Sequence, residues 1–228
     1  MLDRIRQSRY AFPAAILAIA AIAGIVVLIA QSGGDDGGGS DETATCEQVS
    51  APAPKEVSGL KRPKERLPGG RTYTATVATN CGTFAFELDV EEAPRTAASF
   101  VALARDGFYD GLGFHRIAPG FVIQGGDPAG DGSGGPGYSV EEAPSESLKY
   151  EEGVVAMAKT GAEPAGTSGS QFFVVTAEDA QLPPDYALLG KVTSGQDVVD
   201  KIGVVETDPS TEAPVEPVVI TSVKVSAQ

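Results

Sequence analysis

From Tyr73 onward the apolar residues come in short runs separated by glycine and proline, and this punctuation constrains the fold more than any other feature. Tyr73 to Asn80 (YTATVATN) alternates large or β-branched side chains with small ones. Thr83 to Leu88 (TFAFEL) repeats the pattern after Cys81 and Gly82, so the two runs read as a hairpin that opens a sheet. Pro94 starts a different period, with Ala98, Phe100, Val101, Ala102 and Leu103 at helical spacing as far as Gly107. Phe114–Ala118 and Phe121–Gln124 are short strands divided by Pro119 and Gly120, and Gly125–Gly137 is a glycine loop. Gly153–Ala158, Ser170–Thr176 and Ala187–Val192 are further strands, Gln196–Ile202 is a brief second helix, and Val218–Val225 is the last strand. Many short strands with only two helices point to a mainly β domain, a closed antiparallel barrel.

Two stretches carry the chemistry: Phe114–Asp127 (FHRIAPGFVIQGGD) and Gly169–Thr176 (GSQFFVVT). Each sets large apolar residues beside one cation or amide and bounds them with glycine, the composition of an apolar pocket with a few polar anchors. Phe172 and Phe173 are adjacent in a strand and face opposite sides, so one belongs to the core and the other to the pocket. An isolated arginine is ordinarily a surface charge, and Gln124 and Gln171 could merely satisfy backbone at strand ends. His115, the only histidine, invites a general-base role. Strand alternation directs it away from Arg116, which favours a structural one. Ser170 has no histidine and acid arrangement for hydrolysis, and the glycine loop lacks the Lys-Ser/Thr pair of a phosphate cradle. No metal or cofactor is expected, because two cysteines and one histidine at unrelated spacings make a poor ligand set.

The succession FHR, GF, QGGD and GSQFF, over roughly Thr72 to Val225, resembles the cyclophilin family of peptidyl-prolyl isomerases. The resemblance implies a closed eight-stranded antiparallel barrel capped by two helices for residues 71–228, acting as a monomer on proline-containing polypeptides. It places Arg116 as the principal catalytic residue, with Phe121, Phe173 and Leu182 lining the proline pocket and Val122 at its edge. Gln124 and Gln171 would hydrogen-bond the substrate backbone, Ala158, Lys159 and Thr160 would run beside the peptide, and Gly132 would shape a neighbouring subsite. The chain departs from the best-known pattern at Val122, where methionine is common, at Gln181, where tryptophan is, and at Tyr186, where histidine is. Rotation about an Xaa-Pro amide breaks no bond but crosses a barrier of roughly 18–20 kcal/mol. A catalyst therefore needs an apolar recess for the ring, anchors for the flanking backbone, and a donor for the nitrogen lone pair that twisting exposes. A binding or holdase module that recognises proline segments with little turnover is the alternative.

The amino-terminal third obeys other rules. No charged residue occurs from Tyr10 to Ala30, about the 20 residues needed to cross a hydrocarbon core. Arg4, Arg6 and Arg9 precede that stretch, and Asp35, Asp36, Asp41 and Glu42 follow it, so residues 1–9 are expected in the cytoplasm and the remainder outside a cell membrane crossed once. A cleaved signal peptide is the competing reading, although its apolar region is usually shorter. Residues 31–70, rich in glycine, serine, acid and proline, are expected to act as a flexible linker. Outside the membrane Cys46 and Cys81 could form a disulfide or remain free thiols. The formal charge of −14 argues against nucleic acid as a partner.

Overall fold

The computed structural model describes residues 46–228. The expected membrane span, Tyr10–Ala30, lies outside the described residues, as does the first part of the expected linker. Among the described residues no helix is long and apolar enough to cross a membrane.

The elements follow in the order β1 (Tyr73–Thr79), β2 (Gly82–Leu88), α1 (Pro94–Arg105), β3 (Phe114–Ala118), β4 (Val122–Gly125), β5 (Val140–Glu141), β6 (Val154–Met157), β7 (Thr167–Ser168), β8 (Phe172–Val175), β9 (Leu188–Ser194), α2 (Gln196–Gly203) and β10 (Ile220–Ala227). Eight strands pair in the order β10-β1-β2-β9-β6-β8-β4-β3, and β5 with β7 forms a separate two-stranded sheet. The strand runs read from the sequence all form strands, with ends shifted by a residue or two. The β5/β7 pair was not anticipated, because two residues carry no period.

The eight-stranded sheet curls until its edges, β3 and β10, approach at the isolated bridge between Gly113 and Val219. There the Phe114 N–H donates to the Val218 carbonyl and the Ile220 N–H to that of Leu112, both at 2.8 Å. The expected closed barrel is corrected accordingly: no continuous ladder joins the two edges. Extending the pairing past Val218 meets Pro217, which has no N–H to contribute.

Strand alternation sorts the sheet's side chains into two clusters. Phe114, Ile117, Ile123, Val155, Met157, Phe172 and Val174 join the main core inside the curl, together with Phe100 and Leu103 of α1 and Val199 and Ile202 of α2. Phe86, Phe100, Tyr109 and Phe172 form its aromatic centre, with Phe100 and Tyr109 ring centroids 4.9 Å apart. Ala118, Val122, Val154, Ala156, Phe173 and Val175 face the other way and build a second, smaller cluster. That outer face of β4, β6 and β8 carries the candidate site.

Both helices are set by local chemistry. Pro94 occupies the first turn of α1, where its missing N–H costs nothing. The Glu142 carboxylate, distant in sequence, accepts the Arg95 and Thr96 N–H groups at 2.9 and 2.8 Å. Gly195 turns into α2 at φ +73°, and Asp197 and Lys201 complement that helix's dipole.

Cys46–Gly70 contains no helix or strand, yet it belongs to the same compact unit as the sheet. Cys46 is joined to Cys81 by a disulfide. Glu47 N–H donates to the Asn80 carbonyl at 2.8 Å, and Lys55 N–H to that of Pro128 at 2.7 Å. The Lys55 ammonium caps carbonyls beyond the end of α1, reaching Gly107 and Phe108 at 2.9 Å each. From Cys46 on, the stretch expected as flexible linker is thus an arm fastened along the domain.

Candidate active site

Strand β3 carries Arg116 onto the outer face by way of a bulge. Its pairing with β4 shifts register between Phe114 and Arg116, so His115 is the extra residue and simple alternation does not govern it. The Arg116 Nε donates to Glu212 Oε2 at 2.6 Å, and Nη1 reaches Gln124 Oε1 at 3.4 Å. The guanidinium carbon lies 5.9 Å from the centre of the Phe121 ring.

From Arg116 a directional chain of hydrogen bonds crosses the sheet. Gln124 Nε2 donates to Gln171 Oε1 at 3.0 Å, and Gln171 Nε2 donates to the carbonyls of Gly132 and Gly134 at 2.9 Å each. The glycine loop is held in turn by Asp127, which is 1% exposed. Its carboxylate accepts the Ala129 N–H at 2.9 Å and the Gly132 N–H at 2.6 Å. Gln124 and Gln171 thus hold each other and the loop. Gly132 itself is exposed at the rim, and a groove of about 690 Å³ runs between this loop and the Ala158–Thr160 segment.

Phe121, Val122, Phe173, Leu182 and Tyr186 all belong to the outer cluster, so the residues assigned to a proline recess are together. Phe172 is in the main core and Phe173 in the outer cluster, as their alternation requires. Val122 is 2% exposed and packs within the cluster. The Phe173 and Tyr186 rings meet edge to face at 5.5 Å, and Tyr150 packs against both. Tyr150, absent from the sequence reading, ties this wall together: its hydroxyl donates to the Tyr186 carbonyl at 2.6 Å and accepts the Tyr186 N–H at 3.0 Å. Burial pushes the Tyr150 phenol up to about 12 despite the Tyr186 backbone bond. It remains a neutral donor and acceptor.

Lys159 is unlike its neighbours. Its ammonium pairs with Asp185 at 2.5 Å, its side chain is 3% exposed, and it lies 5.5 Å from the centre of the Tyr186 ring. The side chain therefore packs against Tyr186 at the side of the outer cluster, while among the described residues the Lys159 N–H and carbonyl make no backbone hydrogen bond. Thr160 is exposed, and its N–H and hydroxyl both donate to Glu163 Oε2. These bonds hold the Glu163 carboxyl below the ordinary range. Ala158 is half-buried, its N–H bonded to the Gln171 carbonyl at 2.9 Å. Gln181 is exposed at φ +52°, stands apart from the polar chain, and donates its N–H to Asp179.

His115 faces the glycine loop: a Cβ added at Gly132 would lie 4.0 Å from its Nε2. Burial lowers its pKa, and Asp127 partly opposes that shift. Neutral at pH 7, it packs at the edge of the site. Among the described residues no group of His, Cys, Asp and Glu could hold a metal ion.

Residues 74–225 match the model of the cyclophilin type peptidyl-prolyl cis-trans isomerase family. The chain belongs to the cyclophilin family. A peptidyl-prolyl cis-trans isomerase of Helicobacter pylori is 43% identical over 135 residues, 58% of this chain and 81% of the relative. One from Arabidopsis thaliana is 37% identical over 162 residues, covering 69% of this chain and 96% of the relative. The crystal structure of a Cryptosporidium parvum cyclophilin, 32% identical, superposes with a TM-score of 0.63 over 69% of this chain and 99% of its own. The same cyclophilin has been crystallised in the presence of the dipeptide Ala-Pro. This cyclophilin domain is a peptidyl-prolyl cis-trans isomerase.

Proposed function

We propose that the domain rotates Xaa-Pro amides by seating the proline ring among Phe121, Phe173, Leu182 and Tyr186 while Arg116 donates to the amide nitrogen. As the amide twists, resonance is lost and the nitrogen lone pair becomes basic. A donor that meets this lone pair only in the twisted state lowers the barrier without tightening ground-state binding. A guanidinium suits the task because it stays protonated and its donors are fixed in a plane. The observation that carries this reading is the polar chain from Arg116 through Gln124 to Gln171, which holds the cation at the rim of an apolar cluster. The open main-chain groups of Lys159 suit an extended peptide lying across β6 and the glycine loop.

The substrates in this reading are exported or unfolded polypeptides outside a membrane to which residues 10–30 anchor the chain, with residues 1–9 in the cytoplasm. The uncharged run supports the anchor, and the Cys46–Cys81 disulfide supports an oxidising compartment. Exchange NMR on an Ala-Pro tetrapeptide with the full 228-residue chain tests the activity. Interconversion faster than the uncatalysed tens to hundreds of seconds is expected. Binding without acceleration would leave a module that holds proline segments and does not turn them over.

A further inference from the structure

The loop between α2 and β10 folds back on itself and ends against Arg116. Val215 N–H donates to the Glu206 carbonyl and Asp208 N–H to that of Ala213, both at 2.9 Å, and Thr207 bridges Pro214. Within this clasp Asp208 Oδ1 accepts the Ser210 N–H at 2.8 Å, the Ser210 hydroxyl at 2.5 Å and the Thr211 N–H at 3.2 Å. The turn so closed presents Glu212, whose own N–H donates to the Asp208 carbonyl at 2.8 Å.

Glu212 grips β3 twice. Its carbonyl accepts the Ile117 N–H at 2.7 Å, and its carboxylate accepts the Arg116 Nε–H at 2.6 Å. Backbone and side chain of adjacent β3 residues are therefore fixed by one residue. The guanidinium is held through Nε by Glu212 and through Nη1 by Gln124, and among the described residues Nη2 makes no hydrogen bond. A carboxylate on the outer fork would have occupied both Nη atoms. Bonding at Nε instead sets the roll of the guanidinium plane and leaves Nη2, on the Nε side of that plane, without a partner among the described residues. Glu212 does this at φ +58°, a left-handed conformation that glycine or asparagine adopts more readily. A glutamate at this φ carries backbone strain that glycine would not.

We propose that Glu212 is a positioning residue for Arg116, orienting the guanidinium so that Nη2 faces the twisted amide. The proposal rests on the reading of Arg116 as the donor. It separates Glu212 from a residue that merely closes the loop, because a closing role would be served as well by glycine.

The test is exchange NMR on the Ala-Pro tetrapeptide with the full chain unaltered and as Glu212→Gly, Glu212→Gln and Arg116→Ala, with melting followed by circular dichroism. Glu212→Gly relieves the positive φ, so its Tm is expected to equal or exceed that of the unaltered chain. Its kcat is expected to fall about tenfold through misorientation of the donor. KM stays within about twofold, because ground-state contacts are untouched. Glu212→Gln keeps a neutral acceptor and should fall between the two. The Arg116 Nε–H, hydrogen-bonded to Glu212 in the unaltered chain, should exchange with solvent faster in Glu212→Gly. Unchanged or raised kcat in Glu212→Gly, with Arg116→Ala inactive, overturns the positioning role and leaves the donor in place. Full activity in Arg116→Ala removes the donor, and the positioning role with it.

Discussion

Removing the Tyr150 hydroxyl leaves the Tyr186 N–H and carbonyl without their partners within the outer cluster. Tyr150→Phe is expected to lose about 1–3 kcal/mol of stability, read by urea unfolding. His115 makes a prediction in pH. Burial holds its folded-state pKa below the ordinary 6.5. The unfolded chain therefore takes up a proton first on acidification, and the contribution of His115 is whole above pH 6.5 and lost as pH falls through the lower folded value. His115→Asn should flatten the dependence of Tm on pH just below 6.5, whereas an unchanged slope would assign it to other groups. At this scale the sequence was legible where chemistry and pattern coincide. Arg116 sits inside a motif, and alternation alone divides Phe172 from Phe173. Tyr150, Asp127 and Glu212 were missed because their partners lie far away in the chain or in a loop without period. His115 was placed by an alternation that the β3 bulge breaks.

At the scale of elements, the site depends on where β4 ends and the glycine loop begins. Gly126 stands at φ +83°, and a Cβ there would lie 2.6 Å from the Ser170 carbonyl oxygen and 3.1 Å from Phe172. Gly126→Ala should therefore cost about 1–3 kcal/mol, and it should slow catalysis by moving Asp127 and the loop that Gln171 holds. Helix α1 offers a separable case, because its N-terminal cap comes from Glu142 and serves no part of the site. Glu142→Ala is expected to lower stability by about 1 kcal/mol in urea unfolding, with isomerase activity retained. The strands and both helices were readable because alternation, Pro94 and the glycines mark them locally. The two-residue β5/β7 pair and the Glu142 cap were not, since each is defined only by its distant partner.

At the scale of the described domain, the curled sheet has two unlike faces: one closes the main core while the other carries the smaller cluster that holds Phe121, Phe173 and Tyr186. The disulfide adds a constraint from outside the sheet. Cys46 and Cys81 lie 35 residues apart, and closing such a loop stabilises by about 4 kcal/mol at most. Reduction should lower Tm and free the arm as far as the Lys55 contacts, visible as faster hydrogen exchange at the Glu47 N–H. Curvature was legible as many short strands, but the open seam was not, because it depends on Pro217 meeting a strand edge far away in sequence. In the proposed mechanism Arg116 acts on the twisted amide and contributes little to binding the planar one. Exchange NMR on the Ala-Pro tetrapeptide measures affinity and rate in one experiment, with the full chain unaltered and as Arg116→Ala. An affinity within about threefold and a rate reduced at least about a hundredfold are expected for loss of a single transition-state donor. A fall in affinity that accounts for the whole fall in rate, or a rate that survives the substitution, would contradict this mechanism.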